Sequence, residues 1–187
     1  MVRQSTTRRK NDSGFTLTEM LIATVMVMFG LVAVAQLVPT SVMLNSYNRN
    51  DGTALVFAQR QMEAMRTQPL SAPYFTDPQG VSCYPAGQRC NLGDPTQPLQ
   101  PVGCPVVLFN GIPVIDFSAP VSACVTGYYF NYTDPNDPLR ATYDIRWAVI
   151  TITKGSLVTG KRFIVGVFRP GMETPTLPIT LDTMVEK

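Results

Sequence analysis

The stretch that decides the fold is GFTLTEMLIATVMVMFGLVAVAQLV, residues 14–38. Residues 20–38 contain no charged side chain, and Glu19 stands immediately before this apolar run. In a helix that rises about 1.5 Å per residue, a run of this length spans roughly 28 Å, which is close to the hydrocarbon thickness of a bilayer. The sequence therefore predicts one membrane-spanning helix near the N-terminus.

Basic residues precede the apolar run and orient it. The first fourteen residues carry Arg3, Arg8, Arg9 and Lys10 against Asp12, whereas the whole chain has a formal net charge of only +2. Positive charge beside a span favours the cytoplasmic side. We therefore expect a cytoplasmic N-terminus, a span in contact with membrane lipid, and an exported remainder. Because that remainder has no basic stripe, nucleic acid is not an expected partner.

The sequence contains no histidine. This excludes a Ser-His-Asp triad, a Cys-His pair and any imidazole-bound metal. Asp134 and Asp137 could offer oxygens to calcium, but their loop lacks the calcium-loop spacing and a distal glutamate, so a proline-bounded turn is the favoured interpretation. No Gly-x-Ser-x-Gly elbow or phosphate-binding loop occurs. We predict that the chain is not an enzyme and that it holds no metal and no cofactor.

The residues leave three interpretations of the N-terminus open. The first is a secretory signal peptide cut after Ala35, at the end of Ala33-Val34-Ala35. The apolar run is longer than the usual h-region of about 7–15 residues, and Glu19 lies at its start, which opposes this interpretation. The second is a plain anchor, but an ionisable residue costs up to about 3 kcal/mol at the bilayer centre, so Glu19 would need a partner.

The third interpretation is a family resemblance. Residues 10–14 (KNDSG) followed by Phe15-Thr-Leu-Thr-Glu19 resemble the leader and helix start of the type IV prepilins and of the pseudopilins of type II secretion. The resemblance implies that a prepilin peptidase cuts between Gly14 and Phe15 and methylates the new Phe15 amine. It also implies that Glu19 pairs with a neighbouring subunit during assembly. Other pilin subunits and the inner-membrane assembly platform are the further partners implied.

The rest of the chain is similar, more loosely, to the α+β pilin fold, in which a long N-terminal helix packs on a C-terminal antiparallel sheet. Residues 59–65 and 143–149 resemble the V-like minor pilins. The implied division is a leader at 1–14, an assembly helix at 15–38, an amphipathic helix half at 39–68 and a loop-rich β domain at 69–187. That domain would lie in the periplasm before assembly and on the pilus surface afterwards.

These observations favour a minor type IV pilin over two alternatives. Within the family, the alternative is a type II secretion pseudopilin, which the sequence does not separate from a pilin. Outside it, the alternative is a secreted, disulfide-bonded binding protein or enzyme cut after Ala35. Adhesion of the loop region to a surface or to DNA is a further possibility for the exported part.

Beyond the apolar run, the pattern predicts that the helix continues to about Arg66. Gly30 and Pro39 either permit local unwinding or bending when the subunit leaves the bilayer, or mark a passive kink. Pro69 ends the helix, because the residue before a proline avoids helical angles. One face of the second half is apolar at helical spacing. It comprises Leu44, Tyr47, Leu55, Ala58, Met62 and Met65.

In the exported part, Pro, Gly, Asp and Asn are frequent over residues 70–142. This composition predicts long loops with short strands. Asn110-Gly111 lies between two apolar runs and predicts a two-residue hairpin, whose second strand Pro113 confines to an edge. Further strands are predicted at 143–152 and at 163–168, joined by a turn around residues 154, 155 and 160. A final edge strand is predicted at Leu177, Ile179 and Leu181, interrupted by Pro178.

The four cysteines, Cys83, Cys90, Cys104 and Cys124, all lie in the exported part. None has the Cys-x-x-Cys spacing of a zinc site, and an oxidising compartment favours disulfides. Three pairings of four cysteines are possible. Proximity along the chain favours Cys83 with Cys90 and Cys104 with Cys124.

Overall fold

A computed structural model describes residues 14–135, 137, 140–171 and 178–186, without the side chains of residues 46 and 47. The leader before residue 14, Leu177 and the side chain of Tyr47 therefore lie outside the described part. The chain divides into two compact units, residues 1–47 and residues 48–187. Each unit is described by itself.

The long helix predicted from the sequence is present. Helix α1 (Leu17–Arg66) has 50 residues and includes Pro39 in its interior. Since a proline has no N–H, it removes one hydrogen bond from the helix ladder. Just after it, the hydroxyl of Thr40 donates to the Gln36 carbonyl oxygen at 2.9 Å, and that of Ser41 donates to the Leu37 carbonyl oxygen at 2.8 Å. These local bonds keep the hydroxyl groups of an apolar helix satisfied within the helix itself.

The unit of residues 48–187 contains a five-stranded antiparallel sheet. Its strands run in the order β3 (Pro101–Gly103), β7 (Thr142–Lys154), β8 (Leu157–Phe168) and β9 (Ile179–Glu186), and β6 (Tyr129–Thr133) also pairs with β7. The short strands β3 and β6 pair with different parts of β7. Residues 101–103 pair with 148–150, and residues 129–133 pair with 142–146. Strand β9 lies at an edge of the sheet, as the sequence predicts, but it begins after Pro178 and is not interrupted by it.

Two separate hairpins complete the described strands. Strand β1 (Tyr74–Thr76) pairs with β2 (Arg89–Asn91), and β4 (Val106–Phe109) pairs with β5 (Ile112–Ile115), both antiparallel. A 3₁₀ turn covers Val121–Ala123. The β4–β5 hairpin is the one that Asn110-Gly111 predicts.

The predicted turn between the two long strands was partly wrong. Lys154 pairs with Leu157, so the turn consists of Gly155 and Ser156 alone, and Gly160 lies inside β8. The register shifts between Ile152 and Thr153, which is a β-bulge. A bulge absorbs one extra residue without ending the strand. Gly160 therefore lies within β8 at a point where the backbone of the neighbouring strand comes close, and not in a turn. A Cβ atom there would lie 3.2 Å from the Val185 carbonyl oxygen.

The core lies between the second half of α1 and one face of the sheet. Phe57 packs edge-on against Tyr143, with ring centroids 5.0 Å apart, and Trp147 is fully buried on the same face of β7. The buried helix positions follow the 3.6-residue period. They are Asn50, Ala54, Phe57, Ala58, Gln61, Met62 and Met65.

This stripe differs from the predicted one at its N-terminal end. Ala58, Met62 and Met65 are buried as expected, but Leu44 and Leu55 are exposed. Hydrophobic periodicity identifies the side chains that share a face, but it does not show how far a sheet extends over that face. The prediction also missed Gln61, because its polar side chain breaks the apolar pattern.

Candidate functional site: the N-terminal processing and assembly segment

The segment around the predicted cleavage point is held by a reciprocal pair of hydrogen bonds. The Thr16 backbone N–H and hydroxyl donate to Glu19 Oε2 at 3.1 and 3.0 Å, and the Glu19 N–H donates to Thr16 Oγ1 at 3.3 Å. This is a capping box, in which the N-cap residue and the residue three positions later satisfy each other's backbone N–H groups. Thr16 therefore begins the helix, and Glu19 occupies its first turn, where negative charge is favoured.

Gly14 and Phe15 lie immediately outside the box. Both are exposed, and Phe15 retains 85% of its accessible surface. Apart from its chain neighbours, no described residue has a heavy atom within 4 Å of the position that a Cβ atom would occupy on Gly14. Among the described residues, none covers the backbone or the flanking side chains of the peptide bond between Gly14 and Phe15.

The apolar residues that follow are also exposed. Helix α1 contains a window of mean hydropathy 2.5 with none of it buried, which is long and apolar enough to cross a membrane. Such a surface is unfavourable in water and calls for lipid or other apolar helices around it. Gly30 lies in this region with open space around it. Helix α1 runs through both Gly30 and Pro39 without a break, and their proposed role in flexibility remains a prediction.

The structure pairs the cysteines in the way that chain proximity favours. Cys83 is joined to Cys90, and Cys104 to Cys124, across 7 and 20 residues of sequence. The first bridge closes the loop that leads into β2, and the second joins the start of the β4–β5 hairpin to the 3₁₀ turn. Each bridge stabilises the domain by about 2–4 kcal/mol in the chain-entropy account, in a part of the chain with little apolar periodicity.

Two polar contacts that the sequence does not predict hold the second half of α1 to the sheet end. Arg49 forms an ion pair with Asp137 at 3.1 Å, and the Arg169 guanidinium donates to the Asn50 side-chain oxygen. Asp137 Oδ2 also accepts from the Ala141 N–H at 3.3 Å. Arg49 and Asp137 are 88 residues apart in sequence, so no local pattern could reveal the pair.

These contacts also bear on the acidic cluster considered for calcium. Asp137 is largely buried and already engaged by Arg49 and by the backbone, which favours the interpretation as a structural turn. Asn136 in the same loop lies outside the described residues. Within the described part of the chain, no group of three or more acidic or cysteine side chains could hold a metal ion.

Comparison with known families agrees with this N-terminal site. Residues 9–35 match the family model described as the prokaryotic N-terminal methylation motif. This motif is the signature of type IV pilins and pseudopilins, and the match includes Gly14, Phe15 and Glu19. No curated protein and no solved structure matches the chain.

The motif, the apolar helix and the antiparallel sheet point in the same direction. The chain carries the prepilin signature and has the α+β architecture of a long N-terminal helix packed on antiparallel strands. In both respects it is similar to type IV pilins and pseudopilins. The motif implies processing by a prepilin peptidase and assembly with other pilins.

Proposed function

We propose that this protein is a minor type IV pilin, a structural subunit rather than an enzyme, which enters or primes a pilus after removal of its leader. The observation that carries the proposal is the methylation motif at residues 9–35, which includes the first part of an exposed apolar helix that begins at Leu17. The resemblance of residues 59–65 and 143–149 to V-like minor pilins supports the finer assignment. A type II secretion pseudopilin has the same processing and remains the alternative within the family.

The proposed first step is hydrolysis of the peptide bond between Gly14 and Phe15 at the cytoplasmic face. The basic leader does not cross the bilayer, which keeps this bond on the side of the peptidase. Cleavage leaves the Phe15 amino group as the new N-terminus, and the same peptidase then methylates it. The methylated amine keeps its positive charge at neutral pH.

The proposed second step is a change of partner for Glu19. Its carboxylate accepts two hydrogen bonds from Thr16 in the capping box. After cleavage, the Phe15 ammonium of a neighbouring subunit offers a charged partner. A charge-assisted bond is about twice as strong as a neutral one, and an unpaired carboxylate among packed apolar helices would be costly. The pair therefore sets the register of one subunit against the next.

Before assembly, the proposed location is the inner membrane, with the N-terminus in the cytoplasm and the β domain in the periplasm. The oxidised state of all four cysteines fits a domain outside the cytoplasm. After assembly, the domain lies on the pilus surface.

Two substitutions at residue 19 test this proposal. Glu19→Ala removes both the capping acceptor and the charge, whereas Glu19→Gln keeps an acceptor for the Thr16 N–H but not the charge. If charge pairing drives assembly, both variants are cleaved normally and both fail to enter filaments. N-terminal mass measurement on membrane-extracted protein reports cleavage, methylation and disulfide content, and a fractionated pilus preparation reports incorporation.

The outcomes separate the alternatives. Incorporation of Glu19→Gln but not Glu19→Ala would assign Glu19 a capping role and contradict the charge pairing. Normal incorporation of both would overturn its role in assembly. A mature protein that begins at Gln36 would overturn the pilin assignment and support the secreted alternative. Assembly that requires the type II secretion platform rather than the pilus platform would identify a pseudopilin.

A further inference from the structure

A cavity of about 300 Å³ lies beside strand β6. Its lining comes from two segments, within residues 84–88 and 126–131, and includes tyrosine, amide and hydroxyl side chains but no charged one. The volume is at the lower end of the range of about 300–1,000 Å³ that small-molecule sites occupy, and such sites combine aromatic walls with a few polar groups. The chemistry of the lining therefore indicates which class of ligand fits.

The two segments are held in place by covalent and hydrogen bonds. The loop of residues 83–90 is closed by a disulfide between its two ends. Immediately after this loop, the Asn91 N–H donates to the Gly127 carbonyl oxygen at 2.8 Å, and Asn91 Nδ2 donates to the Thr126 carbonyl oxygen at 3.0 Å. A Cβ atom on Gly127 would lie only 2.6 Å from Asn91 Nδ2, so the segments are in close contact. A site that is ordered in advance loses little entropy when a ligand binds.

The cavity borders the free edge of β6. The Trp147 N–H donates to the Tyr128 carbonyl oxygen at 3.0 Å, just before β6 begins. Bonded and non-bonded pairs alternate along an antiparallel ladder, so Tyr129 and Asn131 occupy non-bonded pairs and direct their N–H and C=O groups away from β7. In the described part of the chain, β6 pairs with no strand except β7. The cavity therefore adjoins backbone donors and acceptors that no described strand takes up.

Two side-chain amides add further donors and acceptors. Gln88 is half-buried and Asn131 is exposed, and both line the cavity. Neither side-chain amide has a hydrogen-bond partner among the described residues. Each amide offers two donor hydrogens and a carbonyl acceptor. A ligand in the cavity can therefore form hydrogen bonds without displacing any bond between these amides and the rest of the described chain.

Two tyrosines supply the apolar part of the lining. Tyr84 is 45% exposed, and its ring makes an edge contact with Tyr132 at a centroid distance of 6.0 Å. Tyr129 is half-buried on β6. The face of an aromatic ring carries partial negative charge, so it attracts the weakly positive C–H groups of a ligand. A tyrosine has two side-chain torsions and offers this surface at a low entropic cost.

We propose that this cavity binds a neutral saccharide. A sugar ring presents C–H groups on its faces and hydroxyl groups around its rim, and each hydroxyl both donates and accepts. The tyrosine rings match the C–H faces, and the amides and the edge of β6 match the hydroxyl groups. A charged ligand would lack an opposite charge here, because no charged side chain lines the cavity. The proposal concerns the exported domain and does not rest on the assignment as a minor pilin.

Binding of the full-length chain to immobilised oligosaccharides tests the class of ligand. The protein is kept in a detergent without a sugar head group, because a maltoside or glucoside would compete for the cavity. An array that pairs neutral oligosaccharides with their sialylated or sulfated forms should show binding to neutral members. Saturation-transfer NMR with the strongest neutral binder should give its largest signals from the C–H groups of the sugar ring. Absence of binding to every neutral member, or stronger binding to the charged forms, would overturn the proposal.

Substitutions at Tyr84 test the aromatic contact. Tyr84→Ala removes the exposed ring and should weaken binding of the same oligosaccharide at least several-fold, whereas Tyr84→Phe keeps the ring and should retain binding. Tyr74→Ala is the matched control, because Tyr74 is 41% exposed and lies outside the cavity. An equal loss of binding in Tyr84→Ala and Tyr74→Ala would contradict a site at this cavity.

A second pair of variants tests the polar contact and does not depend on the ring. Gln88→Glu keeps the size of the side chain but replaces its donors by a negative charge, and should weaken binding at least several-fold. Gln59→Glu places the same charge on an exposed position of α1 and should leave binding unchanged. Thermal unfolding followed by the fluorescence of Trp147 shows that each variant folds. Unchanged binding in both Tyr84→Ala and Gln88→Glu would overturn the proposal.

Discussion

Replacing Gln61 by methionine should stabilise the domain. Gln61 lies in the buried stripe of α1 and is 1% exposed. Neither Nε2 nor Oε1 of its amide has a hydrogen-bond partner among the described residues. Burial of an amide without a compensating bond costs about 1–3 kcal/mol in proteins. Methionine is unbranched, has a similar length and has no amide to satisfy, so Gln61→Met should recover most of this free energy.

The measurement is thermal unfolding of the detergent-solubilised full-length chain, followed by the fluorescence of Trp147. Trp147 is the only tryptophan and is fully buried, so its emission reports loss of this core. For a chain of this size, 1 kcal/mol shifts the unfolding temperature by roughly 2–4 °C, so we expect an increase of at least about 2 °C. Gln59→Met is the matched control because Gln59 is exposed on the same helix, and it should change stability by less than about 0.5 kcal/mol.

One result would refute this reasoning. If Gln61→Met lowers the unfolding temperature while Gln59→Met does not, the amide has a partner in the folded protein, such as a buried water. The buried polar group would then stabilise the contact between helix and sheet. An unchanged temperature in both variants would show that strain from the new side chain cancels the gain.

Two further predictions concern β8. Burial lowers the pKa of Lys161 to about 8. In the unfolded chain, the pKa of a lysine is about 10.4. Between these values the unfolded chain holds a proton that the folded chain has lost, so the free energy of unfolding should rise from pH 8 to pH 9.5. This increase in the free energy of unfolding should be absent in Lys161→Met and retained in Lys154→Met, the control at an exposed lysine. If the increase persists in Lys161→Met, another titrating group causes it. In Gly166→Ala, the new Cβ atom would lie 2.7 Å from Phe117 Cε2, so unfolding should become easier by about 1–3 kcal/mol. Gly52→Ala, in open space on α1, should instead stabilise by about 0.5–1 kcal/mol, and a neutral Gly166→Ala would contradict the close contact of hairpin and sheet.

The sequence predicts best those features that depend on neighbouring residues. The start of α1, the Asn110-Gly111 turn and the two long strands each have a local signal, and all are present in the structure. The capping box of Thr16 and Glu19 is also a local pattern, since both residues lie within one helical turn. The cysteine pairing follows chain proximity because each bridge closes a short loop.

Features that depend on distant residues could not be predicted in this way. The ion pair of Arg49 with Asp137 joins two residues that are 88 positions apart in the sequence. The hydrogen bond from Lys161 to the Ala72 carbonyl oxygen joins two that are 89 positions apart. Two short strands share one edge of β7, an arrangement set by tertiary packing rather than by their own composition. The position of Gly160 within β8 was missed because glycine suits both a turn and a close backbone approach.

The two halves of α1 obey different physical constraints, and this makes the assembly experiment interpretable. In residues 17–45 the apolar side chains are exposed. In residues 54–65 the helix face is buried against the sheet, and substitutions there change folding stability directly. Among the described residues, the hydrogen bonds that a substitution of the Glu19 side chain removes are those with Thr16. A loss of filament incorporation in both Glu19→Ala and Glu19→Gln therefore reports the assembly contact itself, provided that the unfolding temperature of the β domain is unchanged.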